Sequence, residues 1–320
     1  MMESFSQKTK EELIRKIPDK SCCVKAELAA IIHSIGSIHL SGKTMSLMVT
    51  GESASLIKKT LLLLKTSYEV NSRIIAEETE RLGHRRRYNL QLFGEELVKK
   101  ILQELAMMEW GYGLAGGIDP DLVRLQCCRG AFLRGAFLSR GSITDPLRSD
   151  YHLEIVTENE EYAQGLVYLM NLCGFKAGLH KRKEYFIYVK DIDVIGKFLT
   201  FVGAHSAFLQ LEEVRVVKGM RANVNRLVNC ETANLEKTVR AALEQVEIIS
   251  ELEHRVGLDF LPDNLKEIAW LRLENPEASL KELGELTQKK LSKSAINYRM
   301  RKLLKLAKSS LGRQEKSSVR

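Results

Sequence analysis

CCVKAELAAIIHSIGSI, Cys22 to Ile38, returns 105 residues later as CCRGAFLRGAFLSRGSI, Cys127 to Ile143. Laid over each other without a gap, the two stretches agree at eight of seventeen positions. Each has the length of a helix, mixes small residues with larger apolar ones, and ends in Gly-Ser-Ile. The small residues are Ala26, Ala29 and Ala30 in the first copy and Gly130, Ala131, Gly135 and Ala136 in the second. They let two helix backbones approach closely. Gly36 and Gly141 suit the left-handed residue that ends a helix, and the Ser-Ile that follows starts a strand. The duplication therefore predicts a matched pair of helices packed on each other between two halves.

The repeat extends outward. TMSLMVTGESASLIKKTLLLLKTSY (Thr44–Tyr68) and DYHLEIVTENEEYAQGLVYLMNLCG (Asp150–Gly174) each read as an alternating strand followed by a helix. GHRRRYNLQLF (Gly83–Phe93) and LHKRKEYFIYV (Leu179–Val189) each read as a basic cluster and another strand, and a closing helix follows in both halves. A repeat of about 100 residues is too long for a solenoid and implies two pseudo-symmetric subdomains. The expected fold class is α+β, a pseudo-two-fold αββαββα duplicate with antiparallel sheets followed by an all-α domain. The expected organisation is an N-terminal helix over 1–20, a duplicated domain over 21–210 with halves about 21–108 and 125–210, a helical linker over 211–256, a DNA-binding domain over 257–311 and a basic tail over 312–320.

Composition narrows the function classes. At 44% apolar and 28% charged, the 320-residue chain reads as globular, with room for two or three domains. MMESFSQKTKEELIRKI is charged and unlike a signal peptide; Thr9-x-x-Glu12 reads as a capping box opening an amphipathic helix. No stretch approaches the roughly 20 apolar residues of a membrane span. The six cysteines include two adjacent pairs and none at metal-ligand spacing. They read as buried, reduced thiols of a cytoplasmic protein, with a zinc or redox site as the alternative. The net charge of +8 is unevenly placed: residues 281–320 hold twelve Lys/Arg against three Glu, so +9 sits in the last forty residues and −1 in the preceding 280. This points to a nucleic-acid-binding end, or to a solvated basic tail.

Leu28-Ala-Ala-Ile-Ile-His-Ser-Ile-Gly36 and Leu133-Arg-Gly-Ala-Phe-Leu-Ser-Arg-Gly141 resemble degenerate copies of the LAGLIDADG motif of homing endonucleases, over roughly residues 20–205. The resemblance implies two central motif helices and two sheets forming a saddle that lies in the DNA major groove. It also implies an acidic metal ligand just before the final Gly of each motif. Ile35 and Arg140 stand there. Neither coordinates a divalent cation, which requires hard oxygen donors. His33 and Leu138 at the other acidic position restore no carboxylate pair, and His33 reads as structural. The expectation is a scaffold without cleavage, with no catalytic residue, metal or cofactor.

DNA contacts are expected in three places. On the saddle, alternation puts Arg86, Tyr88, Leu90 and Leu92 toward the helices and Arg85, Arg87, Asn89 and Gln91 on the outer side, where such side chains read phosphates and base edges. His180, Lys181, Arg182 and Lys183 form the matching turn of the second half. Both clusters also fit the charge of a wet hairpin tip, and the domain alternatively serves as a partner-binding module. Between the domains, Arg221, Asn225, Arg226 and Asn229 precede a well-formed helix from about Leu235; they bridge domains or touch phosphate. At the C-terminus two helices break at Asn275-Pro276, Ser279 caps the second, and Leu280, Leu283 and Leu286 are its buried positions. Ser292 caps a third, which turns Ile296, Met300, Leu303 and Ala307 inward and Ser294, Asn297, Tyr298, Arg301 and Lys302 outward. With Lys289 and Lys290 in the turn, this is a helix-turn-helix over about 278–311; a plain three-helix bundle has the same apolar spacing.

In this order, with NRLVNCETANLEKT (Asn225–Thr238) between them, the domains are similar to the WhiA family over essentially the whole chain. That resemblance implies a non-enzymatic, sequence-specific duplex-DNA-binding regulator linked to sporulation, cell division and chromosome segregation. Its partners are duplex DNA and, in the alternative, a regulatory protein, with no membrane and no small-molecule substrate. Its place is the cytoplasm, on the nucleoid. An adaptor whose N-terminal domain binds protein and an active homing endonuclease are the competing functions.

Overall fold

The computed structural model describes residues 3–41, 44–68, 70, 72, 74–79, 85–108, 116–148 and 150–317. The chain forms two compact units, residues 1–218 and 219–320. In the first unit, α1 (Phe5–Arg15) precedes α2 (Ser21–Ile35), β1 (Gly36–Ser41), β2 (Thr44–Gly51), α3 (Ala54–Ser67), β3 (Ile74–Thr79), β4 (Arg85–Phe93) and α4 (Glu95–Glu104). The second half repeats the order: α5 (Gln126–Arg140), β5 (Gly141–Ile143), β6 (Leu153–Thr157), α6 (Glu160–Leu172), β7 (Gly178–Lys181), β8 (Tyr185–Val189) and α7 (Ile192–Val202). The two antiparallel sheets run β1-β2-β4-β3 and β5-β6-β8-β7, so the duplication is one of topology as well as sequence.

Strand alternation drives each sheet onto its helices. Leu47, Val49, Leu90 and Leu92 in one sheet, and Leu153, Ile155, Ile187 and Val189 in the other, are buried on the helix side. Arg86 shares that side of β4 but lies exposed. The core is continuous across both halves, and its largest helix–helix contact is α2 against α5. The small residues do what the sequence asks of them. A Cβ on Gly135 would stand 2.5 Å from the Glu27 carbonyl oxygen, so the two backbones meet where only glycine fits.

Gly36 and Gly141 are needed for a different reason from the expected one. Their φ angles are −87° and −85°, ordinary extended backbone and not left-handed. The strand turns off the helix end so tightly that a Cβ would sit 2.4 Å from the Ile32 carbonyl oxygen at Gly36, and 2.6 Å from the Phe137 carbonyl oxygen at Gly141. Close approach, not backbone handedness, demands glycine.

The expected capping box is also corrected. Ser4 caps α1 by accepting from the Gln7 N–H, while Thr9 is buried and donates to the Phe5 carbonyl. Glu12 serves another helix: its carboxylate accepts from Ser206 N–H at 2.7 Å and Ala207 N–H at 3.0 Å, at the N-terminus of α8 (His205–Val256). That helix runs unbroken for 52 residues, with no restart before Leu235. In the second unit, α9 (Asp263–Glu274), α10 (Leu280–Leu286) and α11 (Lys293–Ser317) surround a core that also takes in Ile249 and Leu252. Helix α11 continues through 312–317, the stretch read from sequence as a tail.

Polar contacts also join the halves. Glu27 of α2 has no solvent exposure and pairs with Lys59 of α3 and Arg134 of α5, each at 2.6 Å. The Lys59 ammonium also donates to the carbonyls of Leu13 and Lys16, and Arg134 donates to that of Val202. His33 stacks on Tyr162 of α6, ring centroids 4.4 Å apart, and its Nε2–H donates to the Gly117 carbonyl at 3.1 Å. Burial lowers the His33 pKa below the ordinary value of 6.5, outweighing that hydrogen bond.

Removing Glu27 strands two buried cations. Glu27→Gln is expected to destabilise the first unit by about 3–5 kcal/mol in chemical denaturation. Adding Lys59→Met is expected to cost less than the two single changes combined, because the second change removes a charge the first left unpaired. His33 is favoured neutral, so its contribution is whole above pH 6.5 and is lost as pH falls through its lowered folded value. Denaturation of the parent and of His33→Asn on both sides of pH 6.5 checks this. The variant should lose less stability on acidification.

Candidate nucleic-acid interface

The clearest recognition element is built by α10, a tight turn and α11. Ser279 and Glu282 form a reciprocal capping box that fixes the start of α10. Gly284 lets the turn fold back: Leu291 N–H donates to its carbonyl at 2.8 Å, and a Cβ there would stand 2.2 Å from the Leu291 oxygen. Thr287, buried, donates to Gly284 O and accepts from Leu291 N–H, and Lys290 takes a left-handed φ of 39°. Ser292 caps α11 through the Ala295 N–H. Ile296, Met300, Leu303 and Ala307 are buried, while Leu286, expected inside, is 52% exposed.

The opposite face of α11 carries Ser294, Tyr298, Arg301 and Lys302 exposed and Asn297 half-buried, with Lys289 and Lys290 exposed in the turn before it. All seven residues singled out from the sequence thus fall on the turn and the outer side of one helix. Arg272 was missed. It is 1% exposed, and its guanidinium donates to the carbonyls of Asn275, Pro276 and Ala278, pinning the α9–α10 connection where Pro276 leaves carbonyls without helical partners. An arginine three residues before Asn-Pro was the only signal available.

The saddle is less uniform than its sequence. Arg87 is exposed and Gln91 half-buried on the outer side of β4, but Asn89 is only 8% exposed and accepts from the Thr50 hydroxyl at 2.9 Å. Cross-strand pairing with β2 holds it down, so it is not free to read bases. The side chain of Arg85 lies outside the described residues. Ile75 and Phe93 share this outer face and are exposed. In the second half, Lys181 lies over the Tyr185 ring and 3.9 Å from Glu160, Arg182 lies over Phe186, and Lys183 is exposed at the tip. The outer face of that sheet presents Glu154, which accepts from the Ser142 hydroxyl and contacts His152. Arg221, Asn225, Arg226 and Asn229 are all exposed on α8, where Arg226 donates to Asn223.

At the C-terminal ends of α2 and α5 lies a cleft lined by Lys10, Ile35, Glu52, Arg87, Arg140 and Glu158 among others. Arg140 pairs with Glu158 at 3.3 Å and with Glu184. Burial pulls the Lys10 pKa down to about 8, against the attraction of Glu52. Three cations therefore face two carboxylates where the motif would place a metal. Among the described residues, the cysteines at the other end of the helices, and no carboxylates here, form a cluster of three or more ligating groups. No helix of the described residues is long and apolar enough to cross a membrane.

Comparison with known proteins follows this division. Residues 21–108 match the family model described as WhiA N-terminal LAGLIDADG-like domain, residues 129–221 the WhiA LAGLIDADG-like domain, and residues 224–307 the WhiA C-terminal HTH domain. A probable cell division protein WhiA of Heliobacterium modesticaldum is 45% identical over 306 residues, covering 95% of this chain and 96% of that protein. One from Bacillus licheniformis is 42% identical with the same coverage. The crystal structure of full-length DUF199/WhiA from Thermatoga maritima matches with a TM-score of 0.60 at 26% identity, over 96% of this chain and 99% of that one. With both halves of the duplicated domain and the helix-turn-helix matched in order, and relatives above 40% identity along nearly their whole length, the chain belongs to the WhiA family.

Proposed function

We propose that the protein is a sequence-specific duplex-DNA-binding regulator of cell division that reads its site with α11 and does not cleave DNA. The observation that carries this is the outer surface of the C-terminal helix-turn-helix: exposed Lys289 and Lys290 in the turn, then Ser294, Asn297, Tyr298, Arg301 and Lys302 along one side of a capped helix. Asn297 and Arg301 lie one turn apart, share a face, and have the chemistry to contact adjacent base pairs, while the turn lysines suit phosphate. The charge gradient along the chain and the names of its relatives, probable cell division proteins, support the same reading. A cytoplasmic, nucleoid-associated location follows from it, and the domain boundaries near 210 and 256 are proposed with it.

The saddle supplies secondary contacts through Arg87, Gln91, Arg182 and Lys183. A protein-binding role for this face is the second reading, favoured by the exposed Ile75 and Phe93 and by the engaged Asn89. Loss of nuclease chemistry is supported by Ile35 and Arg140 at the former ligand positions and by the ion pair that neutralises Glu158. Metal-assisted hydrolysis needs paired oxygen ligands, and the cleft offers paired cations instead.

Two measurements test this. Full-length protein incubated with its bound duplex and magnesium should leave the DNA intact; nicking abolished by Glu52→Gln or Glu158→Gln would overturn the non-enzymatic reading. In titrations at several salt concentrations, Asn297→Ala or Arg301→Ala should cost roughly 1–3 kcal/mol on the specific duplex and little on random DNA. Lys289→Ala or Lys290→Ala should weaken both alike and flatten the salt dependence. Equal losses for all four variants on both duplexes would reduce α11 to an electrostatic anchor.

A further inference from the structure

The repeat writes one more feature twice. Cys22-Cys23 and Cys127-Cys128 lie in the first turns of α2 and α5, at the end of the helix pair opposite the cleft. The close packing that glycine and alanine permit brings all four thiols together: their Sγ atoms lie within 4.8 Å of one another. Zinc bound by four thiolates at about 2.3 Å would hold its sulfurs roughly 3.8 Å apart. The cluster is thus a small side-chain adjustment from closing on one ion. Sequence spacing concealed it, because metal knuckles are recognised by pairs separated by two to four residues, whereas these adjacent pairs are 105 residues apart.

We propose that Cys22, Cys23, Cys127 and Cys128 form a tetrathiolate site for one thiophilic divalent cation, zinc by its chemistry, which clamps the two halves at the pseudo-two-fold axis. Binding exchanges four S–H protons, released to solvent, for four metal–sulfur bonds, and leaves the site with a formal charge of −2. Two helix N-termini, each with partial positive charge, lie beside that charge. Lys20, which precedes α2 and acts on Cys127, adds a full one. Cys23 and Cys128 are buried and Cys127 is exposed, so the ion has both a closed inner side and a route in. A surface recess lined by Lys20, Cys23, Gln126 and Cys127 supplies that route. The other two cysteines, Cys173 and Cys230, take no part. This site stands apart from the DNA reading, and either can fail without the other.

The test uses the full-length chain carrying Cys173→Ala and Cys230→Ser, reduced and titrated anaerobically with cobalt(II). The expected result is one cobalt per chain, with sulfur-to-cobalt charge transfer and the intense visible bands of a tetrahedral tetrathiolate, displaced by one equivalent of zinc. Cys127→Ser, an exposed change that leaves packing intact, should weaken binding about a hundredfold, at least as much as the loss of an outer-shell partner. Zinc should raise the melting temperature of the parent and not of Cys127→Ser. A weak octahedral spectrum, or cobalt binding unchanged by Cys127→Ser, would overturn the proposal. So would intact mass four hydrogens below the reduced chain in protein isolated without oxidant, with no metal retained, since the four thiols would then be two disulfides.

Discussion

Glu27 sits in the middle of α2 with its carboxylate closed off from water, and five segments of chain converge on it. Lys59 reaches it from α3 while holding the last carbonyls of α1; Arg134 reaches it from α5 while holding the end of α7. Two cations and one anion out of water are costly to desolvate. Burial, helped by the nearby Arg134 and Lys16 charges, pulls the Lys59 pKa down despite the carboxylate beside it. An apolar trio would fill the same space with no such penalty, but it would not dictate which atoms meet. The network also breaks the symmetry of the duplication. The position equivalent to Glu27 in the second copy is Phe132, and that of Arg134 in the first is Ala29. Two helices of equal length thus have one registered arrangement, with the carboxylate on one and the guanidinium on the other.

Once that seam is fixed, the two ends of the helix pair are free to diverge chemically. Ile35, partly buried at the edge of the core, and Arg140 line the cleft at the far end of the pair. The tight exits at Gly36 and Gly141 depend on the glycines and not on the residues before them. The fold therefore does not depend on acids at these two positions. Arg140 is even reused, tying the end of α5 to Glu158 and Glu184.

Much of this was legible in the sequence, for physical reasons that differ by element. The 105-residue repeat carried the element order because small residues and Gly-Ser-Ile recur in phase. The inner face of α11 was readable because Ile296, Met300, Leu303 and Ala307 keep helical spacing. What failed was local pattern that tertiary contacts overrule. Thr9 and Glu12 have capping-box spacing, yet the helix starts earlier, at Ser4, and Glu12 is drawn to the amides of α8. Asn89 alternates outward but is held by Thr50 on the neighbouring strand, a partnership set by register that strand periodicity does not contain. Glu27, Lys59 and Arg134 were invisible for the same reason: each is an ordinary charged residue in its own helix, and only folding makes them neighbours. The stretch around Asn225 and Asn229 read as separate from a helix beginning near Leu235, but propensity costs of a few tenths of a kcal/mol per asparagine are small beside continuous hydrogen bonding over 52 residues.

For the proposed DNA-reading role, the distribution of charge favours α11 over the saddle. Affinity for a duplex grows with the number of phosphates neutralised, and each neutralised phosphate steepens the dependence on salt. The first 280 residues sum to −1, and on the saddle the available cations are partly spent: Arg140 on two glutamates, Lys181 near Glu160, and Glu154 set among the outer residues of the second sheet. Between Lys281 and Ser309, by contrast, eight cations, Lys281, Lys289, Lys290, Lys293, Arg301, Lys302, Lys305 and Lys308, are all exposed. A surface of that kind contributes phosphate affinity along its whole length. Discrimination then requires only a few neutral or bidentate side chains at the correct pitch, and Asn297 and Arg301 supply that pitch on a helix whose opposite side is locked into the core.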